Sequence, residues 1–120
     1  MLVTIVIPTH NRAELLRPTL ESVLRQTCRD FECIVVDDGG SDSTAELVRS
    51  FGDPRLRYTW KPHGERGAAR NYGAARAAGE YVYFLDSDDL LSEDHLEHGL
   101  AELSRLGMPG VLYSRHRVRS

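Results

Sequence analysis

The sequence predicts an α/β protein with a mostly parallel sheet and helices on both faces. Short apolar runs rich in β-branched residues alternate with amphipathic segments of helical period, in the order β-α-β-α-β-α-β-α-β. The apolar runs are nearly continuous, which is typical of strands buried on both faces of a parallel sheet. The 120 residues are enough for one domain with its own core.

The first strand and the first helix are predicted near the start of the chain. Leu2 to Ile7 (LVTIVI) is an unbroken β-branched run that Pro8 ends, so it predicts a buried strand. A helix is predicted from about Arg12 to Gln26, with Asn11 as its cap and an apolar stripe of leucine and valine. Pro18 lies inside this stripe and predicts a kink or a late start.

The middle of the chain predicts two further strands around a short helix. Phe31 to Val36 (FECIVV) is a second buried strand. The loop after it offers Ser41 or Asp42 as the cap of a helix over Thr44 to Ser50. The third strand, Arg55 to Trp60, is more polar, so we expect it near an edge of the sheet.

The last part of the chain repeats the alternation. Ala68 to Ala78 is rich in alanine and predicts a helix that Gly79 stops. Tyr81 to Leu85 (YVYFL) is the fourth strand. Glu93 to Leu106 predicts an amphipathic helix, and Val111 to about Val118 predicts a final strand.

Composition argues against several classes of partner. The net charge of −3 gives no general attraction to nucleic acid or to an anionic membrane. No apolar run is long enough to span a bilayer, and MLVTIVIP is too short for a signal peptide. We therefore expect a cytoplasmic protein whose Cys28 and Cys33 are reduced thiols in or near the core. His95 and His98 have no evident metal partner, so we expect them on the surface.

Polar groups follow three of the predicted strands. PTHNR comes after the first strand, DDGGSD after the second and DSDD after the fourth. Because the carboxyl ends of parallel strands meet at one edge of a sheet, we expect these loops to lie on one rim. Ligands of open α/β sheets bind there.

The DSDD stretch is a candidate metal site. Asp86 and Asp88 offer carboxylate oxygens, which hard cations such as Mg²⁺ and Mn²⁺ prefer. A cation would also neutralise the repulsion between clustered acids. The alternative is that both residues cap the next helix and form a solvated turn, and we place Asp89 at the start of that turn.

Two other stretches suggest contacts with a base and with phosphate. Asp37 or Asp38 could accept a hydrogen bond from a planar ligand's N–H, or could close the strand in an Asx-turn. Arg66, Arg70 and Asn71 lie near a predicted helix start, where guanidinium and backbone N–H groups suit a diphosphate. The alternative for the arginines is a solvated helix surface. Together the signals describe a nucleoside diphosphate, or a nucleotide-sugar, with a bound divalent metal.

The chain resembles the N-terminal half of the inverting glycosyltransferases of family 2, which have the GT-A fold. The stretches VTIVIPTHNR, FECIVVDDGGSDST and GERGAARNYGAARAAGEYVYFLDSDDLL carry the resemblance. They extend from Val3 to Leu91 in the family's order. Gly40 stands where many members have serine, and we expect glycine to be tolerated there.

The resemblance implies roles for the residues that bind the donor. Pro8 and Thr9 would line the nucleotide pocket. Asp38 would accept the uracil N3–H or its equivalent. Arg70 would contact the diphosphate, and Arg12 would be a second contact.

The resemblance also implies a metal and a mechanism. In the DxD motif, Asp86 would face the ribose and the metal, and Asp88 would ligate Mn²⁺ or Mg²⁺ directly. The sugar would pass with inversion to an acceptor hydroxyl that a carboxylate base deprotonates. The family places this base in the acceptor half, so we expect it beyond Ser120.

These implications leave two functions open. We expect residues 1–120 to be a donor-binding domain that is truncated before the acceptor half. Nucleotide binding should then survive better than turnover, and a carbohydrate or lipid-linked acceptor stays unidentified. The alternative is a nucleotide or nucleotide-sugar binding module without catalysis. We also expect an exposed sheet edge to permit self-association.

Overall fold

The computed structural model describes residues 2–64, 67–106 and 110–112. Their strands and helices follow in the order β1 (Val3–Thr9), α1 (Ala13–Leu24), β2 (Phe31–Asp38), α2 (Thr44–Ser50), β3 (Leu56–Lys61), α3 (Ala68–Ala75), β4 (Tyr81–Phe84), α4 (His95–Leu106) and β5 (Gly110–Leu112). This alternation is the one that the apolar pattern predicted.

The strands form one parallel sheet in the order β3-β2-β1-β4-β5. The third strand is at an edge, as its polarity predicted. The chain builds the sheet outward from β1 through β2 to β3, and then returns to the other side of β1 with β4. This reversal between β1 and β4 is a topological switch point, where parallel sheets leave a crevice outside the strand ends. Self-association through a sheet edge stays a prediction.

Helices cover both faces of the sheet because the strands alternate their side chains. On one face, Ile5 and Val35 belong to a large core that includes Leu16 and Leu20 of α1 and Leu96 of α4. On the other face is a smaller core, made of Val6, Ile34, Val36 and Ala69. The predicted fold class is therefore confirmed.

Helix α1 differs from the prediction at its start. It begins at Ala13, and the side chain of the preceding residue, Arg12, makes no capping hydrogen bond. The helix continues through Pro18, so the predicted late start does not occur. Asn11 adopts φ 51° and accepts a hydrogen bond from the Ser41 N–H at 2.8 Å. The Ala13 N–H donates instead to Asp42 at 3.0 Å. The cap therefore comes from the loop after β2, and the Asn11 prediction was wrong.

Other element ends also shift. Helix α3 stops at Ala75, and Gly79 instead donates its N–H to the Thr4 hydroxyl at 2.9 Å. A Cβ on Gly79 would lie 2.7 Å from the Thr4 nitrogen, so glycine permits this approach. Asp42 accepts from the Thr44 N–H at 3.2 Å, as predicted, although Ser43 is the residue before α2. Strand β5 covers the start of the predicted final strand, whose remainder lies outside the described residues.

The cysteines and histidines outside the strand ends are only partly as predicted. Cys28 and Cys33 are free thiols, half-buried and buried. His98 is exposed, but His95 is half-buried, with its ring centroid 5.2 Å from that of Tyr83. Burial lowers the pKa of His95. The surface prediction was wrong for His95 because Tyr83 of β4 packs against it.

No helix in the described part of the chain has the length and apolarity to cross a membrane.

Candidate functional site

A cleft of about 320 Å³ opens at the carboxyl ends of β1, β2 and β4. Its walls are formed by Pro8, Thr9, His10, Arg12, Asp38, Asp86, Ser87 and Asp88. The three polar loops therefore meet on one rim, as the parallel topology predicted. Six of the seven residues predicted to bind donor or metal line this cleft. The seventh, Arg70, reaches it through an ion pair with Asp86.

Asp38 is held at the β2 end of the cleft. Its Oδ1 accepts from the Nζ of Lys61 at 2.8 Å and from the Gly64 N–H at 3.2 Å, and its Oδ2 lies 3.3 Å from the Nδ1 of His63. Burial by itself raises the pKa of Asp38, but the Lys61 and Gly64 hydrogen bonds outweigh it and hold the pKa below its usual range. The cleft therefore presents a charged carboxylate with a fixed orientation.

Three residues around Asp38 were missed from the sequence. Lys61, the only lysine in the chain, ends edge strand β3 with its side chain 10% exposed. His10 and His63 both direct Nδ1 at the Asp38 carbonyl oxygen, at 2.7 and 3.2 Å, so Nδ1 carries the proton in each. Their ring centroids are 4.7 Å apart. No local pattern indicates these contacts, because each partner lies more than 20 residues from Asp38.

Asp37 takes the structural role that the sequence left open. It is only 2% exposed and accepts hydrogen bonds from the Tyr58 hydroxyl and, at 3.0 Å, from the Gly40 N–H. Burial first, and then the Asp37 charge, raise the pKa of Tyr58. The following Gly39 has φ 73°, and a Cβ there would lie 2.6 Å from the His63 Cβ. Glycine thus lets the β2 loop pass close to the loop after β3.

The acidic cluster lies at the β4 end of the cleft. Asp86, Asp88 and Asp89 each place one carboxylate oxygen within 4.8 Å of the others. Asp89 donates its N–H to the Asp86 carbonyl at 3.1 Å, so it closes the turn that begins at Asp86, and the prediction that it starts the turn was wrong. Its carboxylate adds a third acidic group to the cluster. A donor set made only of oxygen, with three carboxylates this close, fits Mg²⁺ or Mn²⁺.

Two arginines already lie beside these acids. Arg70 approaches Asp86 at 3.3 Å, and Arg12 approaches Asp88 at 3.9 Å. All four side chains are between 31% and 53% exposed, so water screens both pairs and their contribution to stability is small. Arg66, the other arginine predicted near a diphosphate, lies outside the described residues.

The base of the cleft is tied to the core. Ser87 is buried, and its carbonyl accepts from the Thr19 hydroxyl of α1 at 3.0 Å. Thr9 is 4% exposed, and among the described residues its hydroxyl has no hydrogen-bond partner. The DSDD turn is therefore anchored to α1 through Ser87, while Asp86 and Asp88 line the cleft.

Comparisons with known proteins agree with this fold. A profile of the family described as Glycosyl transferase family 2 matches residues 4–120. An uncharacterized glycosyltransferase of Rickettsia typhi is 39% identical over 92% of this chain and 35% of its own. The poly(ribitol-phosphate) β-N-acetylglucosaminyltransferase TarP of Staphylococcus aureus is 40% identical over 79% of this chain and 31% of its own. The chain thus spans about a third of the length of these relatives.

Solved structures are similar as well. S. aureus TarS 1-349, in complex with UDP-GlcNAc, has a TM-score of 0.81 and 29% identity, over 88% of this chain and 32% of its own. The mannosyltransferase PcManGT of Pyrobaculum calidifontis, in complex with GDP-Man and Mn²⁺, has a TM-score of 0.73 and 33% identity, over 85% of this chain and 32% of its own.

Proposed function

Because this chain belongs to glycosyl transferase family 2, we propose that it forms the donor-binding part of an inverting glycosyltransferase. Its substrate is a nucleoside-diphosphate sugar, with a uridine nucleotide favoured, and the protein is cytoplasmic. The observation that carries the proposal is a single cleft with a fixed carboxylate at one end and an acidic cluster at the other.

The base of the nucleotide binds at the β2 end. Asp38 accepts an imide N–H of the base, a role that suits a carboxylate held charged by Lys61. Pro8 and Thr9 form the adjacent wall. The ribose then extends across the mouth of the β1 strand toward Asp86.

The diphosphate binds at the β4 end. Asp86 and Asp88, with Asp89 beside them, would hold Mn²⁺ or Mg²⁺. The bound metal supplies positive charge that stabilises the leaving diphosphate. Arg70 and Arg12 exchange their weak pairs with the acids for contacts with phosphate oxygens, where charge-assisted hydrogen bonds are stronger.

A thermal-shift experiment tests this proposal. UDP should raise the melting temperature more with Mn²⁺ than with a chelator, and Asp88→Ala should abolish the difference. Asp94→Ala is the matched control, because Asp94 pairs with His98 and belongs neither to the cleft lining nor to the acidic cluster. The proposal fails if UDP, GDP and dTDP all leave the melting temperature unchanged, with and without the metal.

A second candidate is a nucleotide-sugar binding module without catalysis. Within the described part of the cleft, the carboxylates are those assigned to the base and to the metal, which favours binding over turnover. Release of UDP from UDP-GlcNAc, measured with and without short glycan acceptors, tests the module. Release above the rate without protein contradicts a module without catalysis and favours the glycosyltransferase.

A further inference from the structure

We propose that Lys61 makes the base site selective for uracil or thymine over guanine, by occupying one of the two oxygens of Asp38. This inference rests on the proposed function and deepens it. The fold alone does not decide the base, since similar structures hold UDP-GlcNAc in one case and GDP-Man in another. Base choice must therefore come from residues of the individual site.

The first step is the accepting capacity of Asp38. Each carboxylate oxygen accepts about two hydrogen bonds. Within the described residues, Oδ1 already receives Lys61 at 2.8 Å and Gly64 at 3.2 Å, which fills it. Oδ2 lies 3.3 Å from the His63 Nδ1. Only Oδ2 is then left to read the edge of a base.

The second step is that Lys61 is firmly held. It pairs with Asp38 in the register of β3 and β2, its side chain is 10% exposed, and its Nζ also donates to the Pro62 carbonyl. A Cβ added to Gly64 would lie 2.9 Å from that Nζ, so the loop closes tightly over the ammonium group. Withdrawing Lys61 to free Oδ1 would leave buried charges uncompensated.

The third step is the chemistry of the bases. Guanine presents N1–H and N2–H side by side, and a carboxylate satisfies both only with two free oxygens. Uracil and thymine present one N3–H between two carbonyls, which one free oxygen satisfies. Guanine would leave a donor unpaired in the cleft, and such a group reduces affinity by about tenfold or more.

Isothermal titration calorimetry on the full chain with Mn²⁺ tests the selectivity. UDP and 5-methyl-UDP, which carries the thymine base on the same ribose, should bind with similar affinity. GDP and N3-methyl-UDP should bind about tenfold or more weakly, the latter because it lacks the N3–H donor. GDP binding as tightly as UDP overturns the inference but leaves the proposed function standing. Failure of all the nucleotides to bind is the different result that removes the proposed function.

The variant Lys61→Met tests whether Lys61 is responsible. This substitution removes the Lys61 hydrogen bond to Asp38 Oδ1, so that this oxygen can accept from guanine. The ratio of UDP affinity to GDP affinity should therefore decrease about threefold or more. Arg57→Met is the matched control, because Arg57 lies on the same strand but pairs with Glu32. An unchanged ratio in folded Lys61→Met overturns the role of Lys61. The wild-type comparison of UDP with GDP and N3-methyl-UDP decides the selectivity even if this variant does not fold.

Discussion

The two ends of the cleft hold their carboxylates differently. At the β2 end, Asp38 is 16% exposed and bonds to a buried lysine at 2.8 Å. At the β4 end, Asp86 and Asp88 are 41% and 31% exposed and approach arginines at 3.3 and 3.9 Å. The fold therefore fixes the carboxylate of Asp38 at the β2 end. At the β4 end, Asp86 and Asp88 can exchange their arginine partners for a ligand at little cost in free energy.

Removal of Asp38 should give the largest effect on stability. Asp38→Ala leaves the Lys61 ammonium buried without its carboxylate, so the free energy of unfolding should fall by about 3 kcal/mol. Asp88→Ala should change it by less than about 0.5 kcal/mol. Urea unfolding, followed by the fluorescence of the single tryptophan Trp60, measures both. Equal decreases in the free energy of unfolding of the two variants would contradict the proposed difference between the two ends of the cleft.

The next effect concerns the helix that carries Arg70. A Cβ on Gly73 of α3 would lie 2.4 Å from Val6 and 3.0 Å from Val36, two buried β-branched residues of the sheet. Gly73→Ala should therefore lift α3, cost about 2 kcal/mol of unfolding free energy and weaken UDP binding through Arg70.

The matched control for that prediction is another helical glycine. Gly99 of α4 has no described atom within 4 Å of an added Cβ. Gly99→Ala should raise the free energy of unfolding by about 0.5–1 kcal/mol. Urea unfolding compares the two variants. Equal stability of Gly73→Ala and Gly99→Ala would contradict the close packing of α3 against the sheet at Gly73.

Acid should destabilise the protein through Asp42, in the loop that follows β2. Burial raises the pKa of Asp42, but hydrogen bonds from Thr44 and Ala13 outweigh it and lower the pKa, as for Asp38. A lowered pKa adds stability above the unfolded value of about 4, and this stability is lost as the pH falls through the folded value. Asp42→Asn keeps an acceptor oxygen without the charge, so its urea midpoint should fall less between pH 5 and pH 3. Parallel pH curves for variant and wild type would contradict this assignment.

The smallest effect on stability is expected for the exposed arginines. Arg12→Gln and Arg70→Gln should each change the free energy of unfolding by less than about 0.5 kcal/mol. Arg70→Gln should nevertheless weaken UDP binding about tenfold, because a charge-assisted bond to phosphate is lost. Urea unfolding and calorimetry on the same samples check both numbers. A stability loss above about 1 kcal/mol would show that the β4 end is also built into the fold.

Periodicity predicted the strands and helices well because it depends on residues close in sequence. The polarity of Arg55 to Trp60 was enough to place the third strand at an edge. The DSDD and DDGG loops were found because their strands end on the same rim. Their partners were not found. Lys61 joins Asp38 across 23 residues, and Asp42 caps a helix that begins 29 residues earlier. Such pairs depend on how strands align, which local patterns do not encode.

Two hydrogen bonds join the loop after β1 to the loop after β2, and they limit the order in which these parts of the chain can fold. The first N–H of α1 finds its acceptor in Asp42, and the Ser41 N–H finds its own in Asn11. Neither bond can form until β2 has aligned beside β1, so we expect the start of α1 to be completed only after that alignment. Pulsed hydrogen exchange during refolding should show the Ala13 amide gaining protection together with the β2 amides, later than the middle of its own helix.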